Sequence, residues 1–343
     1  MMKMIVMKIS RRCIPGLSVT AFASAAVLTL AACGCDGGAG AGGGDGKLQV
    51  TASFYPMQFL AEEIGGERAE VTTLTAPGAE PHDLELSPQQ IGELGDAGLI
   101  LYLKDIQPVV DEAIEQSGAE HVVEASEFTT LEAHGGEEDG RDHGGEHAEG
   151  ESEDEGHAEE EGEGHDHGEE GLDPHVWLDP VRYAEVAEGV GKAMAKADPE
   201  HAAAYEKNAA GLADRLHKLD RRFEEGLGNM KTDTFITTHA AFGYLAERYG
   251  LTQEAISGLA PESEPSAARI QELQDIAEHD GVTTVFFETL VSDKTAKTLA
   301  DDLGLKTDVL DPVEGITGKS KGDDYFTIME ANLTALQKSL GTS

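Results

Sequence analysis

A chain of 343 residues has room for two domains of ordinary size. Its net charge of −41 argues against nucleic acid as a partner and against docking on an anionic membrane surface. Residues 132–170 hold 18 Asp/Glu against a single Arg and alone supply −17, so about −24 remains on the rest of the chain, a surface that attracts cations.

The N-terminus reads as a targeting segment and is set aside from the fold. Lys3, Lys8, Arg11 and Arg12 give it a positive start, and 14–30 is mostly apolar and small. Pro15, Gly16 and several Ser/Thr make that stretch a poor membrane span, which needs about 20 apolar residues. Leu30-Ala31-Ala32-Cys33 resembles a bacterial lipobox. The expectation is a signal peptide over 1–32, cleavage before Cys33 and lipid on the Cys33 sulfur. Arg11-Arg12 leaves two export routes open, the general secretory one and the twin-arginine one. Only Cys33 and Cys35 survive cleavage, and Gly-rich 33–47 is a flexible tether. No structural disulfide or Cys-based zinc site is therefore expected, and any metal must be held by His and carboxylate.

Alternating β and α patterns follow in two series. In the first, 48–54, 69–74, 99–103 and 122–125 read as strands, and 57–64, 106–116 and a segment opened by Ser87-Pro88 read as helices. Residues 132–170 then interrupt the order. They contain His134, His143, His147, His157, His165 and His167 among Glu, Asp and Gly, with almost no apolar side chain. Such a run is expected to be a disordered loop, and its composition points to accessory metal binding. A solvated acidic insert with incidental histidines is the plainer alternative.

A helix over 181–197 comes next, and Asp198-Pro199 opens the longest one, to about 225. Tyr205, Ala209, Leu212, Leu216, Leu219 and Phe223 form one apolar stripe along it. About 27 residues at ~1.5 Å each make a rod of about 40 Å. A fresh series starts at once: strands at 234–238, 252–257, 282–287 and 307–310, helices at 242–249, 266–279, 293–303 and 325–340. The expected class is α/β with parallel sheets, the long helix read as a strut joining two (β/α) lobes; an antiparallel hairpin partner within one domain is the alternative reading of that helix. The boundaries are 48–197 for the N-terminal lobe, including the 132–170 loop, 198–226 for the linker helix and 227–343 for the C-terminal lobe.

Four residues lie beyond the carboxyl ends of predicted strands, two in each lobe: His82, His175 (after the last strand of the first lobe and the 132–170 loop), His239 and Glu314. Ligands bind outside the carboxyl ends of strands in open α/β sheets. Three neutral imidazoles and one carboxylate can close a tetrahedral zinc site. Glu288, after the apolar run at 285–287, rivals Glu314. Glu80, Asp83, Asp179 and Asp311 are nearby carboxylates that could orient imidazoles or cap helices. His121, His201, His217 and His279 fit charged helix faces or a strand start better than a ligand set.

Ser53-Phe54-Tyr55-Pro56, Pro77-Gly78-Ala79-Glu80-Pro81-His82-Asp83, Asp173-Pro174-His175-Val176-Trp177-Leu178-Asp179-Pro180, Thr238-His239-Ala240-Ala241-Phe242 and Asp311-Pro312-Val313-Glu314-Gly315 occur in this order. Together they resemble the zinc/manganese-binding solute-binding lipoproteins of ABC metal importers, over nearly all of 48–340. The resemblance implies two (β/α) lobes joined by a long rigid linker helix, a metal site in the cleft between them, and His82, His175 and His239 as the three His ligands. Glu314 matches the carboxylate of the zinc-type members that have one; other members use water. The His-rich insert is similar to that of zinc-type members, and is longer and more acidic.

These readings point to extracytoplasmic capture of Zn²⁺ and its delivery to an ABC permease and its ATPase. The protein is expected to be a monomer lipid-anchored on the outer face of the cell membrane, not an enzyme. Manganese or nickel is the alternative cargo, Mn²⁺ being the less suited to imidazole. A zinc hydrolase is the rival from another class, and the chain has no His-Glu-x-x-His. A surface adhesin on the same fold is the third alternative.

Overall fold

A computed structural model describes residues 46–134, 172–261 and 265–342. The expected signal peptide, Cys33, and the loop histidines His143, His147, His157, His165 and His167 lie outside the described residues. The described part falls within one compact unit, 44–343.

Two four-stranded parallel sheets organise that unit. The first contains β1 (Leu48–Ala52), β2 (Ala69–Thr73), β3 (Leu99–Tyr102) and β4 (Val122–Glu124), in the order β2-β1-β3-β4. The second contains β5 (Thr234–Thr237), β6 (Thr252–Ala255), β7 (Thr284–Phe287) and β8 (Lys306–Val309), in the order β6-β5-β7-β8. Both orders follow from right-handed crossovers that leave a strand, cover the sheet with a helix and return beside it. Helices on both faces let the central strands β3 and β7 read as apolar runs, whereas central β1 alternates and buries only Val50 and Ala52. In the first sheet Leu99 and Leu101 face the main core while Ile100 faces a second cluster with Val110 and Ile114.

The helices of the first lobe are α1 (Tyr55–Gly65), α2 (Pro88–Leu94), α3 (Pro108–Ser117) and α4 (Pro180–Ala197). Pro at the first turn and a Ser87–Gln90 capping box start α2, as the Ser-Pro pair predicts. Asp179 caps α4 by accepting from Val181 N at 2.8 Å. The long helix α5 (Ala202–Leu227) has 26 residues, and its predicted apolar stripe is buried from Tyr205 to Phe223. It begins four residues later than the Asp198-Pro199 signal suggests. Asp198 accepts from the His201 ring (2.7 Å) and from Tyr205 OH (2.8 Å) instead of capping a full α-turn, and Pro199–His201 winds as a tighter 3-10 turn. The second lobe carries α6 (Gly243–Tyr249), α7 (Ala267–Asp280), α8 (Lys294–Leu303) and α9 (Tyr325–Leu340).

The lobes share one core. Phe54, Trp177, Tyr183, Phe235 and Tyr325 all belong to it, and α5 packs on α1 and α4 of the first lobe and on α9 of the second. Trp177 is fully buried and meets Phe54 edge-on at 5.1 Å. Its Nε1–H donates to Pro312 O in the second lobe (2.7 Å), and Tyr325 OH donates to Trp177 O (2.6 Å). The segment that carries His175 is thereby tied to the segment that carries Glu314.

Candidate metal centre

The loops after β2 and β4 and those after β5 and β8 converge on one point. His82, His175, His239 and Glu314 each place one ligand atom there, and all four atoms lie within 4.8 Å of one another. Glu314 Oε1 is 3.6 Å from His82 Nε2, 3.4 Å from His175 Nε2 and 3.5 Å from His239 Nε2. These are long for hydrogen bonds. They match the roughly 3.3–3.4 Å edge between two ligands that each sit about 2.0–2.1 Å from a tetrahedral zinc.

The donor set also fits a cation by its want of other partners. The three Nε2 atoms and both Glu314 carboxylate oxygens are buried without a hydrogen-bond partner. Leaving several such groups unpaired is costly unless something positive draws on all of them. His82 keeps a small exposed edge, with side-chain exposure of 11%, while the other three are at 0%.

The backs of two imidazoles are fixed by carboxylates. His175 Nδ1–H donates to Asp173 Oδ1 (2.7 Å), and the same oxygen accepts from His175 N at 2.9 Å. His239 Nδ1–H donates to Glu288 Oε1 (2.6 Å), which also accepts from Thr238 Oγ1. Giving the Nδ1 proton to an acid sets the tautomer and turns the Nε2 lone pair into the ring. Glu288 thus stands behind His239, whereas Glu314 stands among the three Nε2 atoms. Glu80 Oε1 accepts from His82 N at 3.2 Å. Asp311 shapes the Glu314 loop by accepting from Val313 N (2.9 Å), with its backbone held by Asn332. Asp179 caps α4 and pairs with Arg248, and Asp83 is exposed.

Electrostatics follow from this packing. Burial by itself would lower the His175 and His239 pKa values. Asp173 and Glu314 outweigh it for His175, and Glu288 and Glu314 outweigh it for His239, so both stand above the usual 6.5. Burial would raise Glu314, yet the three imidazoles hold it well below the usual carboxylate range. Glu80, desolvated and facing Glu314, is pushed up to about 8.

His121, His217 and His279 are exposed, and His201 pairs with Asp198, all away from this ring. His134 behaves differently from a residue of a solvated run. It is partly buried, with Nδ1 3.0 Å from Asp173 Oδ2, and its ring meets Tyr244 edge-on at 4.5 Å. The 132–170 stretch therefore begins inside the packed structure, where Asp173 N donates to Glu132 O at 2.8 Å. Asp173 and Tyr244 are supporting residues that the sequence motifs do not single out. Asp173 had a signal, since an acid two residues before a candidate ligand is placed to orient it.

Fold and ring together define a class: a two-lobed α/β protein with a buried cluster of metal-ligating side chains between its lobes. The chain belongs to the family of the zinc-uptake complex component A, periplasmic (ZnuA), whose profile matches residues 50–339. It is 37% identical over 297 residues to the high-affinity zinc uptake system protein ZnuA of Bacillus subtilis, covering 86% of this chain and 88% of that one. It is 36% identical over 302 residues to the zinc-binding lipoprotein AdcA of Streptococcus pneumoniae, covering 86% of this chain and 56% of that one. The chain thus spans about half the length of the curated AdcA relatives it matches. Among solved structures it resembles the laminin-binding protein of Streptococcus agalactiae, described as bifunctional with adhesin and metal-transporting activity (TM-score 0.69, 29% identity, 85% of this chain and 99% of that one).

Proposed function

We propose that the protein captures Zn²⁺ outside the cytoplasm and hands it to an ABC permease served by an ATPase, without chemistry on the metal. One observation carries the reading: three buried Nε2 atoms at 3.4–3.6 Å from one Glu314 oxygen, none with another partner. His82, His175, His239 and Glu314 are the ligands, and Asp173 and Glu288 orient two of the imidazoles. Nitrogen-rich ligation favours zinc over manganese. Four protein ligands close the tetrahedron and leave no position for a reactive water, which argues against a hydrolase.

Two ligands come from each lobe, so parting the lobes splits the set into two pairs and releases the ion. The rod α5 and the Trp177–Pro312 bond oppose wide opening, which favours a small rearrangement at the permease. Family membership supports a domain plan of signal peptide 1–32, lipidated Cys33 with a tether to 47, two lobes and a linker helix over 198–226. No described helix is long and apolar enough to cross a membrane. The loop histidines His143, His147, His157, His165 and His167 raise the local zinc concentration in this reading.

The test is metal content after dialysis of the mature protein against mixed Zn²⁺, Mn²⁺ and Ni²⁺, with and without 135–171. About one tight zinc in both forms is expected for a single closed site. Manganese in the shortened form moves the protein to a manganese role, and metal held only by the full form removes the ring as the site. The adhesin description of the Streptococcus agalactiae protein favours a second reading, laminin binding, checked by binding of the purified protein to immobilised laminin.

A further inference from the structure

We infer that Glu132, His134 and Glu247 form a second, weaker site for a first-row divalent cation such as Zn²⁺, outside the cleft. The three side chains offer ligand atoms within 4.8 Å of one another. Glu132 and His134 follow the last strand of the first lobe, β4, and Glu247 comes from α6 of the second.

His134 is held in place by its surroundings. Gly243 supplies the space, since a Cβ there would lie 2.4 Å from His134 Cβ and 2.9 Å from Asp173 Oδ2. Tyr244 OH receives Glu132 N–H (2.8 Å) and donates to Asp173 O (2.7 Å), clamping both ends of the neck. Nδ1–H of His134 goes to Asp173 Oδ2, so the Nε2 lone pair faces outward. It faces Glu247 Oε2 at 3.4 Å. That spacing equals the His175–Glu314 spacing in the cleft and the roughly 3.3–3.4 Å edge of a zinc tetrahedron. One oxygen of Glu132 completes three protein ligands, and the half-exposed position of Glu247 leaves room for a water as the fourth.

A cation is already at work there. Arg182 bonds Glu132 and lies 3.9 Å from Glu247, with its guanidinium over the Tyr244 ring at 5.0 Å. A metal at this place competes with Arg182 for the two carboxylates, which makes the site weaker than the cleft. Asp173 joins the two places: one oxygen serves His134 and the other His175. The inference stands apart from the cleft reading, because His239→Ala weakens the tight ion and leaves these residues untouched.

The test is a Zn²⁺ titration, against a competing chelator, of the full chain carrying His143→Asn, His147→Asn, His157→Asn, His165→Asn and His167→Asn. Two zinc ions are expected, one tight and one weak. Glu247→Gln and His134→Gln should each weaken the second by at least the roughly tenfold that losing an orienting partner costs, and keep the first. Arg182→Gln should tighten the second by removing its competitor, whereas a plain ion-pair role for Arg182 predicts no gain. A single zinc at saturation, or a second zinc indifferent to Glu247→Gln in a protein that melts like its parent, overturns the inference.

Discussion

The two lobes repeat one topology and differ in chemistry. Each has a central strand pair flanked by two edges, in matching order. The first lobe contributes two imidazoles from loops beyond its edge strands β2 and β4. The second contributes one imidazole after central β5 and one carboxylate after edge β8. The support differs too. His175 leans on Asp173, two residues away in its own segment, while His239 leans on Glu288, 49 residues away, just after the neighbouring strand β7. The lesson is that a repeated sheet fixes where ligands can stand, and the loop and strand-end residues decide what each lobe gives.

Acid should expose the comparison most strongly. In the metal-free ring His175 and His239 have raised pKa values and Glu314 a depressed one. The imidazole contribution to metal-free stability is thus complete below 6.5 and is lost as pH rises through the raised values. The Glu314 contribution is present above 4.5 and is lost as pH falls through its depressed value. Zinc needs the neutral imidazoles, so its affinity runs the other way. It should fall as pH drops from 8 through 6.5, by up to about tenfold per displaced proton per pH unit. Calorimetric titration across that range, with thermal melts of the metal-free protein, checks both signs; equal zinc affinity at pH 5 and 7.5 would refute the ring.

Removing ligands compares the lobes directly. His175→Ala and His239→Ala should each cost roughly a quarter of the ~10–16 kcal/mol that holds a four-ligand zinc, on the order of a hundredfold to a thousandfold or more in affinity. A loss confined to one lobe would mean that the ion rests on that lobe alone. Removing the supports should do less. Asp173→Asn and Glu288→Gln are each expected to weaken zinc about 10–100-fold, measured by chelator competition. An unchanged affinity in Glu288→Gln would show that Thr238 and packing suffice to orient His239.

Much of this plan was legible because local signals coincide with it. The four ring residues follow recognisable strands, and the stripe on α5 announces its buried face from Tyr205 to Phe223. Contacts between distant segments were not legible. Glu288 looked like a rival of Glu314 because both are acids after strands; only the pairing of β5 with β7 sets it against the back of His239. In the sequence His134 reads with its neighbours as part of an acidic run, because the composition around it outweighs its position. Its seat depends on Gly243 and Tyr244, about 110 residues along the chain, and no local pattern carries that. The start of α5 was missed because Asp198 spends its side chain on His201 and Tyr205.

The smallest effect concerns how the second lobe aims its carboxylate. Val313, buried beside Glu314, has a φ of +59°. A β-branched residue there is strained, at about 1–3 kcal/mol, since its Cβ crowds the backbone carbonyl. Asp311 holds it by accepting Val313 N–H, and the Trp177 bond to Pro312 O holds the turn from the other lobe. Val313→Ala and Val313→Gly both lose the buried isopropyl group, so their difference isolates the backbone. In ordinary extended or helical positions Ala is the more stable by about 0.5–1 kcal/mol. Here the order should reverse, with Gly ahead by about 1 kcal/mol in urea melts of the metal-free protein. Zinc affinity should change little in either, because Asp311 and Trp177 still fix the turn. Ala ahead of Gly would mean that the turn relaxes out of the left-handed region once the valine is gone, and that the first lobe, through Trp177, does not hold the Glu314 loop by itself.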